Sequence, residues 1–368
     1  MKAFHFYCEG AAYRPKKINL FFYFCCHKTD TLAYYEQNNK NHSIMNKSKL
    51  QNIISFTILS LALLFSASSC ASNKNAQVSN AAIREVSVGN FTGISNSVVL
   101  TIHFTQGNKC SLKVKDPNNI LLVSTKGGIL TFKSKNVTTN VASNNEIEAW
   151  ITAPRLTSIG NSGMLIFNSD RLNVSDIKIS NNGIATYNVP SITATNMTLS
   201  NTGNFIFNKT SVLSDKMAIK NQGILNTELD CSKGNVSIEN QGSIIASCNL
   251  TCQDISVSNQ GNAEFKVTAN AKTFLLKNYG KLISELNVMS TSMDIKNRGT
   301  GNDTIKFKGS DLAINNTGLS QTNLNVDCKE LQASNSGMAK MTISGTADDT
   351  SFDSDGVINI NTSELNQY

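Results

Sequence analysis

Ile255-Ser-Val-Ser-Asn-Gln-Gly261 and Phe274-Leu-Leu-Lys-Asn-Tyr-Gly280, two stretches that lie 19 residues apart, decide the fold. Each stretch has two apolar residues separated by one residue, then an Asn two residues before a Gly. Apolar residues two apart predict a half-buried β-strand and not a helix face. The two stretches therefore predict a strand followed by a bend that returns at a fixed interval.

The Asn-x-Gly motif recurs along most of the chain. Its glycines stand at positions 163, 183, 203, 223, 242, 261, 280, 299, 318 and 337, first 20 and then 19 residues apart. A fixed period is the signature of a repeat architecture. No stretch between the glycines has a helical period, so we predict an all-β parallel β-helix (β-solenoid) with 19–20-residue coils. Ten coils would build a rod of about 50 Å.

The main alternative is the leucine-rich repeat. Its pattern places Asn three residues after the last strand leucine, whereas here Asn follows two residues after the second apolar residue. The helix-like convex segment is missing as well. Both differences favour the β-helix.

The Asn and the Gly of each motif are interpreted as structural. Alternation of side chains along a strand places the Asn on the inward face, where stacked amides satisfy polar groups that would be costly to bury. The Gly is expected to allow a positive φ at the bend, and the rest of each period is expected to form a short strand and turns. The predicted ladder comprises Asn181, Asn201, Asn221, Asn240, Asn259, Asn278, Asn297, Asn316 and Asn335.

The beginning of the chain has the features of an exported lipoprotein. Met45-Asn-Lys-Ser-Lys49 is basic, residues 53–65 are mostly apolar, and Ala67-Ser-Ser-Cys70 places small residues before a cysteine. We predict a signal peptide over 45–69, lipidation at Cys70 and a flexible tether over 70–82. Residues 1–44 are interpreted as an upstream extension before the true start. Ordinary cleavage or an uncleaved anchor is the alternative, but the apolar run is short for a membrane span of about 20 residues.

Positive charge is concentrated in this leader. Residues 1–69 contain 8 Lys or Arg and 3 Asp or Glu, whereas residues 70–368 contain 25 and 23. A nucleic-acid-binding protein needs a clustered basic face, so we predict no nucleic-acid partner.

Five cysteines follow Cys70. A Cys231–Cys248 or Cys231–Cys252 disulfide could form in an envelope compartment, but buried free thiols are the expectation. Cys248-x3-Cys252 could be a metal pair, yet the only histidine after Cys70 is the distant His103. We therefore predict neither a metal nor a cofactor. The five cysteines are Cys110, Cys231, Cys248, Cys252 and Cys328.

Residues 83–155 are also strand-like, with looser turn spacing. Val98-x-Leu-x-Ile102 leads to Gln106-Gly107, and Gly128-Ile-Leu-Thr-Phe132 and Ile147-x-Ala-x-Ile-x-Ala-Pro-x-Leu156 follow in that order. This order of motifs resembles the putative auto-transporter adhesin family with the head GIN domain, which is common in lipoproteins of Bacteroidota. The resemblance implies a right-handed single-stranded β-helix, an envelope or surface role and no catalytic residue. We expect head GIN-like coils over 83–160, regular repeats over 161–356 and a C-terminal tail over 357–368.

The residue between Asn and Gly is expected to point outward and to form a polar stripe. Its amide and hydroxyl groups, with one tyrosine, could hydrogen-bond glycans, although a solvated sheet face is the alternative. The candidate binding stripe is Gln222, Gln241, Gln260, Tyr279 and Arg298.

Apolar residues beyond the Gly are also expected to point outward. Either a second chain covers them, giving a homo-oligomer, or the alternation resets at the bend. They are Met164, Ile166, Ile184, Ile206, Ile224, Ile245 and Ile283.

Parallel β-helices also host polysaccharide-degrading enzymes, which need clustered carboxylates. We identify no acidic residue that recurs at one position in successive coils. Asp348-Asp349, Asp353 and Asp355 are interpreted as a polar cap that protects the last strand edge, with a calcium loop as the alternative. His103 is expected to be an ordinary surface residue.

These observations predict a non-enzymatic, lipid-anchored envelope protein of the outer membrane that binds glycans or proteins. The membrane holds it through its N-terminal lipid, on the surface or the periplasmic side. The alternatives are a polysaccharide-degrading enzyme that uses the C-terminal aspartates and a purely structural envelope protein.

Overall fold

The computed structural model describes residues 82–135 and 147–367. These residues form a single 23-stranded sheet that winds into a parallel β-solenoid of about 11 turns, which confirms the predicted fold. The described residues contain no helix, and hence no helix long and apolar enough to cross a membrane. The predicted extension, signal peptide and lipidation site Cys70 lie outside the described residues, as does all of the tether except Ala82.

Short strands build the first part of the described chain, and long strands build the last part. The first eight are β1 (Arg84–Val86), β2 (Gly93–Asn96), β3 (Val99–Gln106), β4 (Ser111–Lys115), β5 (Leu121–Lys126), β6 (Ile129–Ser134), β7 (Glu148–Ala153) and β8 (Ser158–Asn161). The next eight are β9 (Met164–Ser169), β10 (Leu172–Asn173), β11 (Asp176–Asn181), β12 (Ile184–Asn188), β13 (Ser191–Asn201), β14 (Asn204–Asn221), β15 (Ile224–Ser232) and β16 (Asn235–Asn240). The last seven are β17 (Ser243–Asn259), β18 (Asn262–Asn278), β19 (Lys281–Asn297), β20 (Thr300–Asn316), β21 (Leu319–Asn335), β22 (Met338–Ser354) and β23 (Val357–Gln367).

The N-terminal end of the solenoid is built from reversed strands as well as coils. Strands β2 and β3 begin the parallel stack by pairing with β8 and β9. Below them, β4 runs antiparallel to β7, β1 antiparallel to β4, and β5 antiparallel to β6. Phe91, Leu112, Leu121 and Phe132 are buried under these strands. Residues 83–160 are therefore coils only in part, because reversed strands close this end of the core.

Each late coil is a nearly continuous strand, which differs from the expected short strand and turns. Strands β17 to β22 have 17 residues each, and Gln260-Gly261 alone separates β17 from β18. In β18 burial alternates at every second residue except at Lys272-Thr273, where two successive residues leave the core. Asn, Ser and Thr, which are typical of loops, here occupy outward strand positions.

The C-terminal segment continues the sheet. The residues assigned to a tail over 357–368 contain β23, which pairs in parallel with β22 and adds a further partial coil. The register shifts between Thr342 and Ser344, where the strands depart from the regular pairing.

The core is the continuous column of inward side chains. The apolar pairs before each Asn are buried, from Ile177 and Ile179 to Leu331 and Ala333. After each Gly the early coils bury aromatic rings, such as Phe167 stacked on Tyr187 at 5.1 Å between centroids. In the late coils the same inward position carries polar groups, including Asp303, which is 4% exposed. At this position the core therefore changes from aromatic to polar, while the other inward columns of the late coils stay apolar.

Candidate functional site

The asparagines of the Asn-x-Gly motifs form one hydrogen-bonded ladder inside the solenoid. Each Nδ2 from Asn161 to Asn316 donates to the Oδ1 of the Asn in the next coil over 2.5–2.8 Å. Each also donates to a carbonyl oxygen near the bend, as Asn240 Nδ2 does to Gly242 at 3.2 Å. All of them are at most 5% exposed. This ladder satisfies the buried amides and fixes the vertical alignment of the coils.

The ladder begins one coil before the regular motif. Asn96 Nδ2 donates to Asn161 Oδ1 at 2.9 Å, although 65 residues separate them. Val98 occupies the position of the Gly, two residues after Asn96. The Asn-x-Gly pattern therefore does not reveal Asn96. At the other end Ser354 occupies the position of the Asn and is exposed, so Asn335 ends the ladder.

The predicted reason for the glycines is wrong. None of the motif glycines has a positive φ. A Cβ on Gly261 would instead lie 2.0 Å from the carbonyl oxygen of Gly242, and the same overlap recurs from Gly183 to Gly356 at 2.0–2.1 Å. Glycine is required because the backbones of successive coils approach too closely for a side chain.

The residues between Asn and Gly form one exposed outward column. Each backbone N–H donates to the carbonyl of the Asn in the previous coil, for example Tyr279 to Asn259 at 2.7 Å. Gln222 Nε2 donates to Gln241 Oε1 at 3.0 Å, and the Arg298 guanidinium lies 5.8 Å from the centroid of the Tyr279 ring. The stripe therefore presents amides, an aromatic ring that is 46% exposed and a cation in a fixed row.

A shallow trough runs across successive strands, parallel to this stripe, and encloses about 680 Å³. Its floor is a column of small side chains in four successive coils, which are Thr198, Ala218, Ser237 and Ser256. One wall is a column of larger polar residues, which are Asp176, Asn196, Lys216, Asn235 and Asp254. The floor ends at Leu275, the next residue in that column.

Between the trough and the stripe lies a further outward column. It includes Lys220, which pairs with Glu239 in the next coil at 3.3 Å. Gln222 and Gln241 of the stripe follow two residues further along the same strands. Trough and stripe therefore form one polar surface across several coils. The sequence carried a signal for the trough, because the residue between the two apolar positions is small in four consecutive repeats.

The outward apolar residues lie where alternation placed them. Met164 pairs with Ile184, and Ile166 lies in the same column as Ile206. Met164, Ile166, Ile206 and Ile224 are exposed, so the alternation does not reset at the bend. That a second chain covers these apolar residues remains a prediction.

Carboxylates do recur at one position in successive coils, which corrects the sequence analysis. Asp311 pairs with Glu330, and Glu330 pairs with Asp349. Their 19-residue spacing was visible in the sequence. All three are exposed, and none of them lines the trough. Among the described residues no group of three or more His, Cys, Asp or Glu side chains could hold a metal ion.

His103 belongs to a cluster at the N-terminal end and is not an isolated surface residue. Its ring stacks on Trp150 with 5.3 Å between centroids, and its Nε2 lies 3.3 Å from Glu148 Oε2. Glu148 also accepts a hydrogen bond from Lys115 at 2.8 Å, which lowers the pKa of the carboxyl group. The sequence offered no signal, because residues 103 and 148 meet only through the pairing of β3 with β7.

All five described cysteines are free thiols, as expected, and neither of the two possible disulfides is present. Four of them are buried, and Cys110 is half-buried. Burial raises the pKa of Cys248 to about 12 and that of Cys328 to about 11. These values indicate core thiols and not nucleophiles.

Comparison with known proteins agrees with this picture. Residues 90–273 match the family described as "Putative auto-transporter adhesin, head GIN domain". No curated protein matches the chain.

Several solved structures are weakly similar. A putative adhesin from Bacteroides fragilis is 16% identical, with 76% of this chain and 95% of that chain covered and a TM-score of 0.25. A putative adhesin from Parabacteroides merdae is 13% identical with the same coverage and a TM-score of 0.31. A putative lipid binding protein from Parabacteroides distasonis is 15% identical, again with 76% and 95% covered, and its TM-score is 0.27.

The family match spans half of the sequence, from the first parallel coil into the regular Asn-x-Gly coils. It covers most of the reversed strands at the N-terminal end, the trough and the first part of the stripe. The chain therefore belongs to the auto-transporter adhesin family with the head GIN domain.

Proposed function

We propose that this protein is a lipid-anchored, non-catalytic envelope adhesin whose trough binds an extended oligosaccharide. The observation that supports this proposal is the four-coil floor of Thr198, Ala218, Ser237 and Ser256 beside a row of larger polar side chains. Four rungs span about 15 Å. A chain-like ligand can lie along this floor, because the small side chains leave its length open.

The chemistry of the walls favours a polar, uncharged polymer. Asp176 accepts a hydrogen bond from Asn196 at 2.6 Å, and Lys220 pairs with Glu239, so charges are largely matched within the surface. Amides and hydroxyl groups can donate to and accept from sugar hydroxyls. Tyr279 adds an exposed ring to the stripe. A strongly charged ligand would find no excess of opposite charge here.

Screening the purified full chain on an array of defined oligosaccharides tests the ligand class. Ser237→Trp would fill the middle of the trough, and the expected result is roughly tenfold weaker binding of the best oligosaccharide, since the lost contacts exceed about 1.4 kcal/mol. Asn226→Trp is the matched control, because Asn226 is exposed beyond the bend, outside the trough. Equal affinity of both variants, or an array without a ligand, would refute the trough as the glycan site. Cleavage of any bound polysaccharide would refute the non-catalytic role.

Anchoring is tested separately in intact bacteria. Fatty-acid labelling is expected on the wild-type chain and not on Cys70→Ser. Protease treatment of intact cells then distinguishes surface exposure, which gives degradation, from a periplasmic location, which gives protection. An unlabelled wild-type chain would refute the anchor and leave the oligosaccharide result unaffected.

A further inference from the structure

The two ends of the solenoid carry opposite charge. Residues 82–175, which hold the reversed strands and the first coils, contain nine Lys or Arg and five Asp or Glu. Residues 300–368, which hold the last coils, contain four and nine. The near-neutral balance of residues 70–368 conceals a solenoid that is basic at its N-terminal end and acidic at its C-terminal end.

The basic end also exposes aliphatic side chains, on the hairpin of β5 and β6. The antiparallel register places Leu122 beside Lys133 and Lys126 beside Ile129. Leu122 is 49% exposed and Ile129 is 42% exposed. Neither Lys126 nor Lys133 forms an ion pair with any residue of the described ranges. This hairpin face therefore combines unpaired cations with exposed aliphatic groups.

The hairpin is a preformed surface at the end of the rod. Among the described strands β5 pairs with β6 alone, and β6 pairs with β2 of the first coil. Gly127 and Gly128 have φ values of 58° and 74°, which gives the tight turn that suits the twist of a two-stranded hairpin. Leu121, Leu130 and Phe132 bury its inner side. Its outer side stays exposed.

We propose that this hairpin face docks the N-terminal end of the solenoid onto an anionic membrane surface. Lysines near such a surface are attracted to anionic headgroups, and exposed Leu and Ile side chains gain by entering the interface between headgroups and acyl chains. The same surface repels the acidic C-terminal end. A nucleic acid would use the cations and leave Leu122 and Ile129 without a role.

The docked rod stands with its C-terminal coils farthest from the bilayer. This orientation rests on the proposed anchor at Cys70, which precedes Ala82 by only twelve residues. The affinity of the hairpin face for the membrane does not depend on the anchor. The docking of the hairpin face and the anchor at Cys70 can therefore be tested separately.

Vesicle sedimentation of the full chain carrying Cys70→Ser tests the docking without an attached lipid. The vesicles contain phosphatidylcholine alone or phosphatidylcholine with about one third phosphatidylglycerol. We expect stronger binding to the anionic vesicles, and a decline of that preference with salt because the Debye length shortens. Residues 1–69, with their basic and apolar side chains, are present in the parent and in every variant and contribute equally to all of them.

Charge reversal identifies the surface. Lys126→Glu with Lys133→Glu is expected to weaken binding to the anionic vesicles by roughly tenfold or more. Lys272→Glu with Lys306→Glu makes the same change in charge in the middle and late coils, and it is expected to leave binding within about twofold of the parent. Leu122→Ser with Ile129→Ser is expected to reduce the binding that persists at high salt.

Three results would overturn the docking. They are equal binding to neutral and anionic vesicles, equal loss in both charge-reversal variants, and self-association through the basic end without vesicle binding. A failure to find lipid on wild-type Cys70 would remove the upright orientation and leave the vesicle result intact.

Discussion

Asn221 donates its side-chain amide to the Oδ1 of Asn240, one coil further along, over 2.7 Å, and both side chains are 1% exposed. Asn240 in turn donates to Asn259 at 2.8 Å. Asn240→Ala leaves Asn221 without its acceptor and Asn259 without its donor inside the core. Because buried polar groups without partners are costly, we expect the free energy of unfolding to fall by about 2–4 kcal/mol in urea denaturation.

Gln241→Ala is the control for this variant. Gln241 is the next residue, and it is exposed. A change of less than about 0.5 kcal/mol is expected there. An Asn240→Ala variant as stable as Gln241→Ala would show that the ladder is dispensable.

Replacement of a motif glycine should disrupt the stacking of coils. In Gly261→Ala the new Cβ would lie 2.0 Å from the carbonyl oxygen of Gly242, so two coils must separate. We expect a loss of about 3 kcal/mol or more. In Gly160→Ala the nearest atom is the carbonyl oxygen of Ile94 at 3.8 Å, an ordinary contact. Similar thermal midpoints for the two variants would contradict this account of the glycines.

The buried Asp303 makes stability depend on pH. It accepts a hydrogen bond from Ser284, yet burial dominates and raises the pKa of its carboxyl group from 3.8 to about 6. Because the folded pKa is above the unfolded one, the carboxyl stabilises the fold below about pH 4, and this contribution is lost as the pH rises through 6. The difference corresponds to about 3 kcal/mol.

Asp303→Asn keeps an acceptor for Ser284 and cannot ionise. We expect it to be more stable than the wild type at pH 8, by up to about 3 kcal/mol, and nearly equal at pH 4. Asp311→Asn, at an exposed carboxylate of a nearby strand position, is the control and should show little difference. Urea denaturation at both pH values measures the effect, and a wild type more stable than Asp303→Asn at pH 8 would refute it.

The buried thiol of Cys248 should react slowly with alkylating reagents. Only the thiolate attacks, and burial raises the pKa of Cys248 to about 12. Cys110 is half-buried and serves as the internal reference. Peptide mapping after iodoacetamide treatment of the native chain at pH 8 should show Cys110 labelled first and Cys248 at least about tenfold more slowly. Equal labelling in the native state, and not only in denaturant, would contradict the buried placement.

The repeat made the architecture predictable. Ile255 and Val257, two apart and followed by Asn259 and Gly261, specify an inward column, and the same spacing in every coil leaves little choice but parallel stacking. The buried Asn ladder follows from that alternation alone. The role of Gly261 did not follow, because the distance between neighbouring backbones is a property of the stacked coils and not of one repeat.

Features that depend on side-chain size or on irregular pairing were harder to predict. The trough is visible only when Ala218 and Ser237 are compared with the same position in other coils, such as Leu275. The carboxylates of Asp311, Glu330 and Asp349 have the same 19-residue spacing as the Asn-x-Gly motif, but they were not predicted to form a column. Asn96 meets Asn161, and His103 meets Trp150, across parallel strand pairs whose members are separated in sequence by β4, β5 and β6. These strands interrupt the period, so spacing could not reveal the contacts.

Each motif Gly contacts the Gly of the coil before it in the same way, so one whole coil is equivalent to the next. Removal of residues 242–260 would join Gln241 to Gly261 and restore the Asn-Gln-Gly sequence at the junction. The shortened chain would keep its ladder and lose one rung of about 4.8 Å. Unequal recombination between neighbouring repeats of the gene can therefore change the reach of the molecule in discrete steps, and the remaining core needs no redesign.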